Sequence, residues 1–119
     1  MTTATTPAGE LRSPAAEYYS KKLESFSFRG QKIPVRMHGG IVRYLAAGIR
    51  PGDFLSAVLQ NDLRGSLGRA DDENVELLHI YVAFFYMEAP MHCWGSKENY
   101  DSWIAADRSA TRTNSEDQL

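Results

Sequence analysis

The sequence has 119 residues, with one cysteine, a formal net charge of −2 and 43% hydrophobic residues. This length fits one domain, the single cysteine excludes an internal disulfide, and the weakly negative charge argues against a general nucleic-acid binder. The N-terminus lacks the basic and apolar regions of a signal peptide, and no apolar run is long enough to span a membrane. We therefore expect a cytoplasmic protein without a membrane partner.

The charged residues are unevenly distributed along the chain. Residues 12–70 carry ten Lys or Arg against four acidic residues, whereas residues 71–107 carry eight acidic residues against Lys97. Such asymmetry is typical of two surfaces of opposite sign. It predicts a dipolar surface or a contact between two such surfaces; the alternative is a basic face for an anionic ligand.

The composition divides the chain into one domain and two tails. Residues 1–14 and 107–119 are rich in small and polar residues and bury too little apolar surface to offset their ordering entropy, which predicts disorder. Residues 15–106 are predicted to form a single helical domain. The predicted class is mainly α, a compact bundle of about four helices with a short N-terminal arm or β-hairpin.

The N-terminal part of this domain predicts one short helix followed by the arm. Pro14 suits the start of a helix that continues to about residue 23. Residues 25–28 then alternate between polar and apolar side chains, and residues 29–32 have the composition of a turn. This pattern predicts a small hairpin or an extended segment.

Two helices are predicted in the middle of the chain. The first covers residues 35–47, and Gly48 suits a left-handed cap at its end. The second covers residues 53–64, where apolar residues at helical spacing form a broad arc. We expect it to end before Gly65 and Gly68, which break the pattern.

A third long helix is predicted between Asp71 and Pro90, and a last short helix begins after Ser96. Asp71 and Ser96 have side chains that accept hydrogen bonds from the first turn of a helix. At helical spacing, the apolar residues of 75–87 cover almost the whole circumference of the third helix. We therefore predict that this helix is central in the bundle and that its surplus apolar surface makes the protein a homodimer.

The first long helix carries a candidate strip for anion binding. Arg36, Gly39, Gly40 and Arg43 fall on one side at helical spacing, and His38 lies beside them. Two glycines inside a helix cost about 1 kcal/mol each relative to Ala, so a close approach by a ligand or another helix should offset them. Either the strip binds a phosphate or carboxylate, or the glycines allow close packing and the arginines are solvated.

Asp62 is a second candidate residue. At helical spacing it falls near the centre of the apolar arc of residues 53–64, where a carboxylate must be paired, hydrogen-bonded or protonated. We favour a structural role, in which Asp62 accepts hydrogen bonds from a helix terminus or loop, or pairs with Arg50 or Arg69. The alternative is a functional carboxylate in a cleft.

The loop after Pro90 contains His92, Cys93 and Trp94. Adjacent residues seldom bring a thiol and an imidazole into contact, and a lone cysteine is usually a small buried apolar residue. Three scattered histidines and one cysteine also lack the paired spacing of a zinc site, so no metal and no cofactor are predicted. Trp94 is interpreted as a plug over the helix ends or as an anchor in an interface.

The sequence contains none of the common catalytic motifs. It has no phosphate-binding glycine-rich loop, no metalloprotease helix, no nucleophile elbow and no dinucleotide fingerprint. No two carboxylates are clearly placed in a shared apolar pocket. We therefore predict that the protein is not an enzyme.

Short segments spread over residues 38–104 carry a resemblance to other proteins. They are His38-Gly39-Gly40-Ile41, Arg43-Tyr44, Gly48-Ile49-Arg50-Pro51-Gly52-Asp53-Phe54-Leu55-Ser56-Ala57-Val58-Leu59, Asn61-Asp62-Leu63, Gly68-Arg69-Ala70-Asp71, Ala89-Pro90, Cys93-Trp94-Gly95-Ser96 and Trp103. With these segments the chain resembles a family of small accessory proteins encoded by bacteriophages and prophages. The resemblance covers just over half of the chain and carries over no catalytic residues.

The resemblance implies an accessory binding protein that inhibits a host protein by direct contact, in the cytoplasm of a bacterial host cell. The expected target is a component of an antiphage defence system, which would make the protein anti-CRISPR-like. One alternative is a sponge-like binder that sequesters an anionic small molecule, such as a nucleotide immune signal, on Arg36 and Arg43. Another is a small DNA-associated regulator, against which the net charge and the lack of a clear helix-turn-helix signature count.

Overall fold

The computed structural model describes residues 13–106, and within that range it is mainly helical and has no β-strand. Its seven helices are α1 (Pro14–Ser25), α2 (His38–Ala47), α3 (Asp53–Leu59), α4 (Leu63–Arg69), α5 (Asp72–Glu76), α6 (Leu78–Glu88) and α7 (Lys97–Ala105). Two short 3-10 turns, Val35–Met37 and Met91–Cys93, precede α2 and α7. None of these helices has the length and hydropathy that a membrane-crossing segment requires. The predicted tails, apart from residues 13 and 14, lie outside the described residues.

The mainly helical class is confirmed, but the prediction of about four helices is wrong because two of the predicted helices are divided. α3 ends at Leu59 because Asn61 adopts a left-handed conformation, with φ of 64°. Asn tolerates this conformation better than most residues, so it ends the helix as a glycine would. Asp62 then starts α4, and Gly65 lies inside that helix instead of ending the one before. The third predicted helix is divided at Leu77 into α5 and α6.

The predicted helix caps are confirmed. Gly48 ends α2 in the left-handed conformation, with φ of 69°. The Asp71 carboxylate accepts a hydrogen bond of 2.8 Å from the backbone N–H of Asn74, and the Ser96 hydroxyl accepts one of 3.0 Å from the N–H of Asn99. These contacts satisfy donors that the first turn of a helix leaves unpaired.

The predicted N-terminal hairpin is absent from the described residues. The segment between α1 and α2 contains a single β-bridge between Phe28 and Gln31 instead of paired strands. Its apolar residues pack on the helices: Phe26 contacts Phe84 edge-on, with ring centroids 5.3 Å apart, and Ile33 is buried. The alternating pattern thus reflects side chains that reach the core from an irregular segment.

The central helix of the fold is α3, and the prediction that residues 75–87 form it is wrong. All six residues from Phe54 to Leu59 are buried, and α3 packs against both α4 and α7. By contrast, α6 buries one side through Ile80, Tyr81, Phe84 and Phe85. Its other side is exposed through Val82, Tyr86 and Met87.

The last helix is tied to the middle of the chain by two aromatic residues. Tyr44 of α2 donates a hydrogen bond of 2.7 Å from its hydroxyl to the carbonyl oxygen of Cys93. The indole N–H of Trp103 donates one of 2.8 Å to the carbonyl oxygen of Tyr44. These contacts hold α7 against α2 and place Tyr100, which is 1% exposed, beneath the start of α3.

Candidate functional site

A polar cavity, which we call the polar pocket, lies between α3 and α4 and has a volume of about 240 Å³. Its lining residues are Arg50, Asp53, Ser56, Ala57, Gln60, Asp62 and Arg69. Along one side of α3 and its C-cap, four lining residues recur at helical spacing: Asp53, Ser56, Ala57 and Gln60. Asp62 and Arg69 lie at the two ends of α4. The pocket therefore depends on the left-handed turn at Asn61, which brings α4 back beside α3.

Arg50 is held at the pocket by hydroxyl groups from the core. Its Nη1 donates a hydrogen bond of 3.2 Å to the hydroxyl of Tyr100. That hydroxyl shares a hydrogen bond of 2.6 Å with the Ser56 hydroxyl, which in turn donates to the carbonyl oxygen of Pro51. Because Tyr100 and Ser56 are almost completely buried, they hold one edge of the guanidinium in position and leave its other N–H groups available.

Asp62 is exposed and lies outside the apolar arc in which its sequence position placed it. The physical reason is that α3 has already ended when the chain reaches it. Its Oδ1 accepts a hydrogen bond of 2.9 Å from the N–H of Gly65, which is the helix-terminus role that we favoured. Among the ion pairs of residues 13–106, none joins Asp62 to Arg50 or Arg69.

Gly65 lets two charged side chains approach the same point on α4. A Cβ atom at Gly65 would overlap the Asp62 carboxylate and would lie 3.0 Å from Nη1 of Arg69. Both side chains therefore cross the bare backbone of this glycine at the wall of the pocket. Gly65, which the sequence pattern predicts to break a helix, instead lies inside α4 and leaves room for two side chains that line the pocket.

The predicted strip of Arg36 and Arg43 does not form one cationic surface. Arg36 donates hydrogen bonds of 2.9 Å and 2.8 Å from Nη2 to the carboxylates of Asp71 and Glu73. The contact with Glu73 raises the pKa of Arg36, and the N–H of Asn74 lowers the pKa of Asp71. The basic and acidic parts of the sequence thus meet within one chain at this point.

The other residues of the strip have separate structural environments. A Cβ atom at Gly40 would lie 3.5 Å from Cδ1 of Leu55, so this glycine allows α2 to pack closely on α3. Gly39 is covered by the Arg43 guanidinium, whose Nη1 would lie 3.0 Å from such an atom. The Nε2 atom of His38 donates a hydrogen bond of 3.0 Å to the carbonyl oxygen of Ile33.

The loop that contains Cys93 buries this residue and leaves Met91 and His92 exposed. Cys93 is completely buried, His92 lies edge-on against Trp103 at 5.4 Å, and the Trp94 ring contacts Phe85 at 5.8 Å. Across residues 13–106, no three His, Cys, Asp or Glu residues are grouped so that they could hold a metal ion. This loop therefore contributes to the core, with Trp94 half-buried at its edge.

An apolar surface, which we call the open α6 face, consists of Val82, Tyr86 and Met87. Their exposed fractions are 41%, 77% and 55%. Val82 and Tyr86 are four residues apart on one helix, so their side chains are neighbours. Met87 is exposed on the same helix about 100° further round from Tyr86. The surplus of apolar residues on this helix was the sequence signal for this surface.

Comparison with models of known families, with curated proteins and with solved structures found no match. The site must therefore be interpreted from its own side chains. The sequence indicates Arg50 and Arg69 as possible partners of Asp62, and the structure brings all three to the polar pocket. Asp53 and Gln60 also line the pocket and were not predicted as site residues, although their spacing of seven residues indicates one side of a helix.

Proposed function

We propose that this protein is a phage-encoded accessory protein that binds and inhibits a host protein without catalysis, and that the open α6 face makes the contact. The observation that carries the proposal is the exposure of Val82, Tyr86 and Met87 on a helix whose opposite side is fully buried. Neighbouring exposed apolar side chains on a small domain are typical of protein interaction sites.

The residue types and their rigid support also favour protein binding. Tyrosine and methionine are enriched in interface cores, and tyrosine is a frequent hot spot. The opposite side of α6 is fixed by Ile80 and Phe84, each with no exposed surface. A face presented on such a helix loses little conformational freedom when a partner binds.

The resemblance to small bacteriophage and prophage proteins supports the choice of target. We propose a component of an antiphage defence system, CRISPR among them. The two alternatives have less support, because the carboxylates of Asp71 and Glu73 lie 2.9 Å and 2.8 Å from Nη2 of Arg36 and offset its positive charge. That engagement weakens both the nucleotide-sponge hypothesis and the DNA-regulator hypothesis.

The proposal can be tested by phage infection of a bacterium with an active CRISPR system. We expect the natural protein to restore plaque formation, and the double variant Val82→Glu with Tyr86→Glu to lose this effect because charge on the face prevents apolar contact. The matched control is Leu63→Glu with Leu67→Glu, since these residues are 72% and 56% exposed and also lie four residues apart, on α4. Equal activity of the α6 double variant and the control would show that the open α6 face does not contact the host protein.

The partner itself can be captured by cross-linking. A photoreactive phenylalanine derivative at position 86 should form a covalent adduct with one host protein, because Tyr86 is 77% exposed. The same group at position 67 should not form that adduct. Adducts of equal yield at both positions would argue against a specific face.

The predicted homodimer would use the same open α6 face. Sedimentation at high micromolar concentration should then detect a dimer that Tyr86→Lys converts to a monomer. If the natural protein is a strict monomer, the dimer prediction is wrong and the face is available to a host partner alone.

A further inference from the structure

We propose that the polar pocket binds a small zwitterion, a molecule that carries both an anionic group and a cationic amine, as free amino acids do. This site is separate from the open α6 face, so the inference does not depend on the proposed function. Its basis is the combination of two guanidinium groups and two carboxylates around a single cavity.

The charges of the pocket are balanced. Arg50 and Arg69 contribute positive charge, and Asp53 and Asp62 contribute negative charge. A simple anion would be attracted by the arginines and repelled by the carboxylates, and the reverse holds for a simple cation. A zwitterion is the ligand that gains from both pairs of groups.

These charges are not used in ion pairs of the fold. None of the ion pairs among residues 13–106 includes Arg50, Arg69 or Asp53, whereas Arg36 is paired with two carboxylates. Opposite charges that line one cavity without pairing with each other leave their interactions available to a ligand. This distinguishes the pocket from the paired charges near the start of α2.

Arg50 is also positioned in advance. The Tyr100 hydroxyl accepts from its Nη1, and that hydroxyl is fixed by the buried Ser56. A guanidinium held in this way can bind a carboxylate through its remaining N–H groups with little further loss of side-chain freedom. We assign the anionic group of the ligand to Arg50 and its amine to Asp53.

The volume limits the size of the ligand. The cavity of about 240 Å³ is smaller than most pockets for drug-sized ligands, which measure about 300–1,000 Å³. This favours a molecule of amino-acid size over a nucleotide. The lining agrees with a compact polar ligand, because every lining side chain except that of Ala57 is polar.

The test is a set of titrations of the full chain followed by amide chemical shifts. The probes are glycine, β-alanine and γ-aminobutyrate, which separate the two charged groups by increasing distances, together with acetate, methylammonium and inorganic phosphate. We expect at least one ω-amino acid to bind about tenfold more tightly than acetate and methylammonium, with shifts at the pocket residues. Inorganic phosphate should bind no more tightly than that ω-amino acid.

Variants assign the binding to the pocket. Arg50→Gln and Asp53→Asn should each weaken binding of the best probe by about tenfold or more. The matched controls are Arg64→Gln, on the exposed side of α4, and Asp72→Asn, in the first turn of α5; both should bind normally. The dispersion of the amide signals shows in the same spectra whether each variant is folded.

Several outcomes would overturn the inference. Acetate or phosphate that binds as tightly as the best ω-amino acid would make this a plain anion site, and tight methylammonium would make it a cation site. If no ω-amino acid causes a saturable chemical-shift change at millimolar concentration, the proposed binding site does not exist. Tyr86→Glu should leave the titrations unchanged, so the pocket and the open α6 face can fail independently.

Discussion

The rings of Tyr44 and Tyr100 are stacked, with centroids 5.6 Å apart and an angle of 15° between their planes. The stack joins α2 to α7 across the core. It also directs the Tyr100 hydroxyl to Ser56 and Arg50 at the base of the polar pocket. The same residue thus supports both the core and the candidate binding site.

Tyr100→Phe separates these two contributions, because the ring stays and the hydroxyl is lost. The buried Ser56 loses a hydrogen-bond partner, so we expect the free energy of unfolding to fall by about 1 kcal/mol. Arg50 should become more mobile, and the affinity for the best ω-amino acid should fall. Urea unfolding and the Arg50 side-chain NMR signals provide the measurements; unchanged Arg50 mobility would show that the hydroxyl does not position it.

Asp62→Ala should reduce stability by removing the N-cap of α4. We expect a loss of about 0.5–2 kcal/mol in the free energy of unfolding, the usual range for a helix cap. Asp62→Ser should restore most of it, since serine also accepts a hydrogen bond from the first turn. If serine is no better than alanine in urea unfolding, the contact with the N–H of Gly65 is not what stabilises α4.

Two substitutions at Gly40 should show whether this glycine serves close helix packing or ligand binding. A Cβ at this position would be in ordinary contact with Leu55, so Gly40→Ala should fold and gain up to about 1 kcal/mol of helix propensity. Gly40→Leu should lower stability by about 1–3 kcal/mol, because its longer side chain would overfill the contact between α2 and α3. Thermal melts of the two variants decide this; a stable Gly40→Leu protein would contradict the packing interpretation.

The stability of the protein should fall at alkaline pH because of Tyr81. This phenol is completely buried and donates a hydrogen bond to Oδ1 of Asn74, and burial raises the pKa of Tyr81 well above its ordinary value. Its contribution is fully present below the unfolded pKa of about 10 and is lost as pH rises toward the folded pKa. The slope from this group should reach about 1.4 kcal/mol per pH unit above pH 10.

The measurement is urea unfolding of the natural protein and of Tyr81→Phe at several values above pH 9. The variant should be less stable at neutral pH, because Asn74 loses its donor, but its stability should fall less steeply with pH. Tyr86→Phe, at a ring that is 77% exposed, controls for the loss of one tyrosine. Equal slopes for the natural protein and Tyr81→Phe would contradict the assignment.

The local features of the fold could be predicted because they depend on a few neighbouring residues. Asp71 and Ser96 cap helices with their own side chains, and Gly48 has the conformational freedom that a helix end requires. The left-handed turn at Asn61 was missed, since the apolar pattern continues across it to Leu63. Because this turn was not predicted, α3 and α4 were predicted as one helix, and Asp62 was placed on its apolar side.

The sequence by itself determined the helical class, the caps and the surplus of apolar surface on α6. Tertiary structure alone decided that α3 is the central helix, that Arg36 pairs with Asp71 and Glu73, and that Tyr100 reaches Arg50. The physical reason is range: a cap forms between residues three apart, whereas the Arg50–Tyr100 contact joins residues fifty apart. Such a contact depends on how every intervening helix packs, and the periodicity of the sequence does not indicate it.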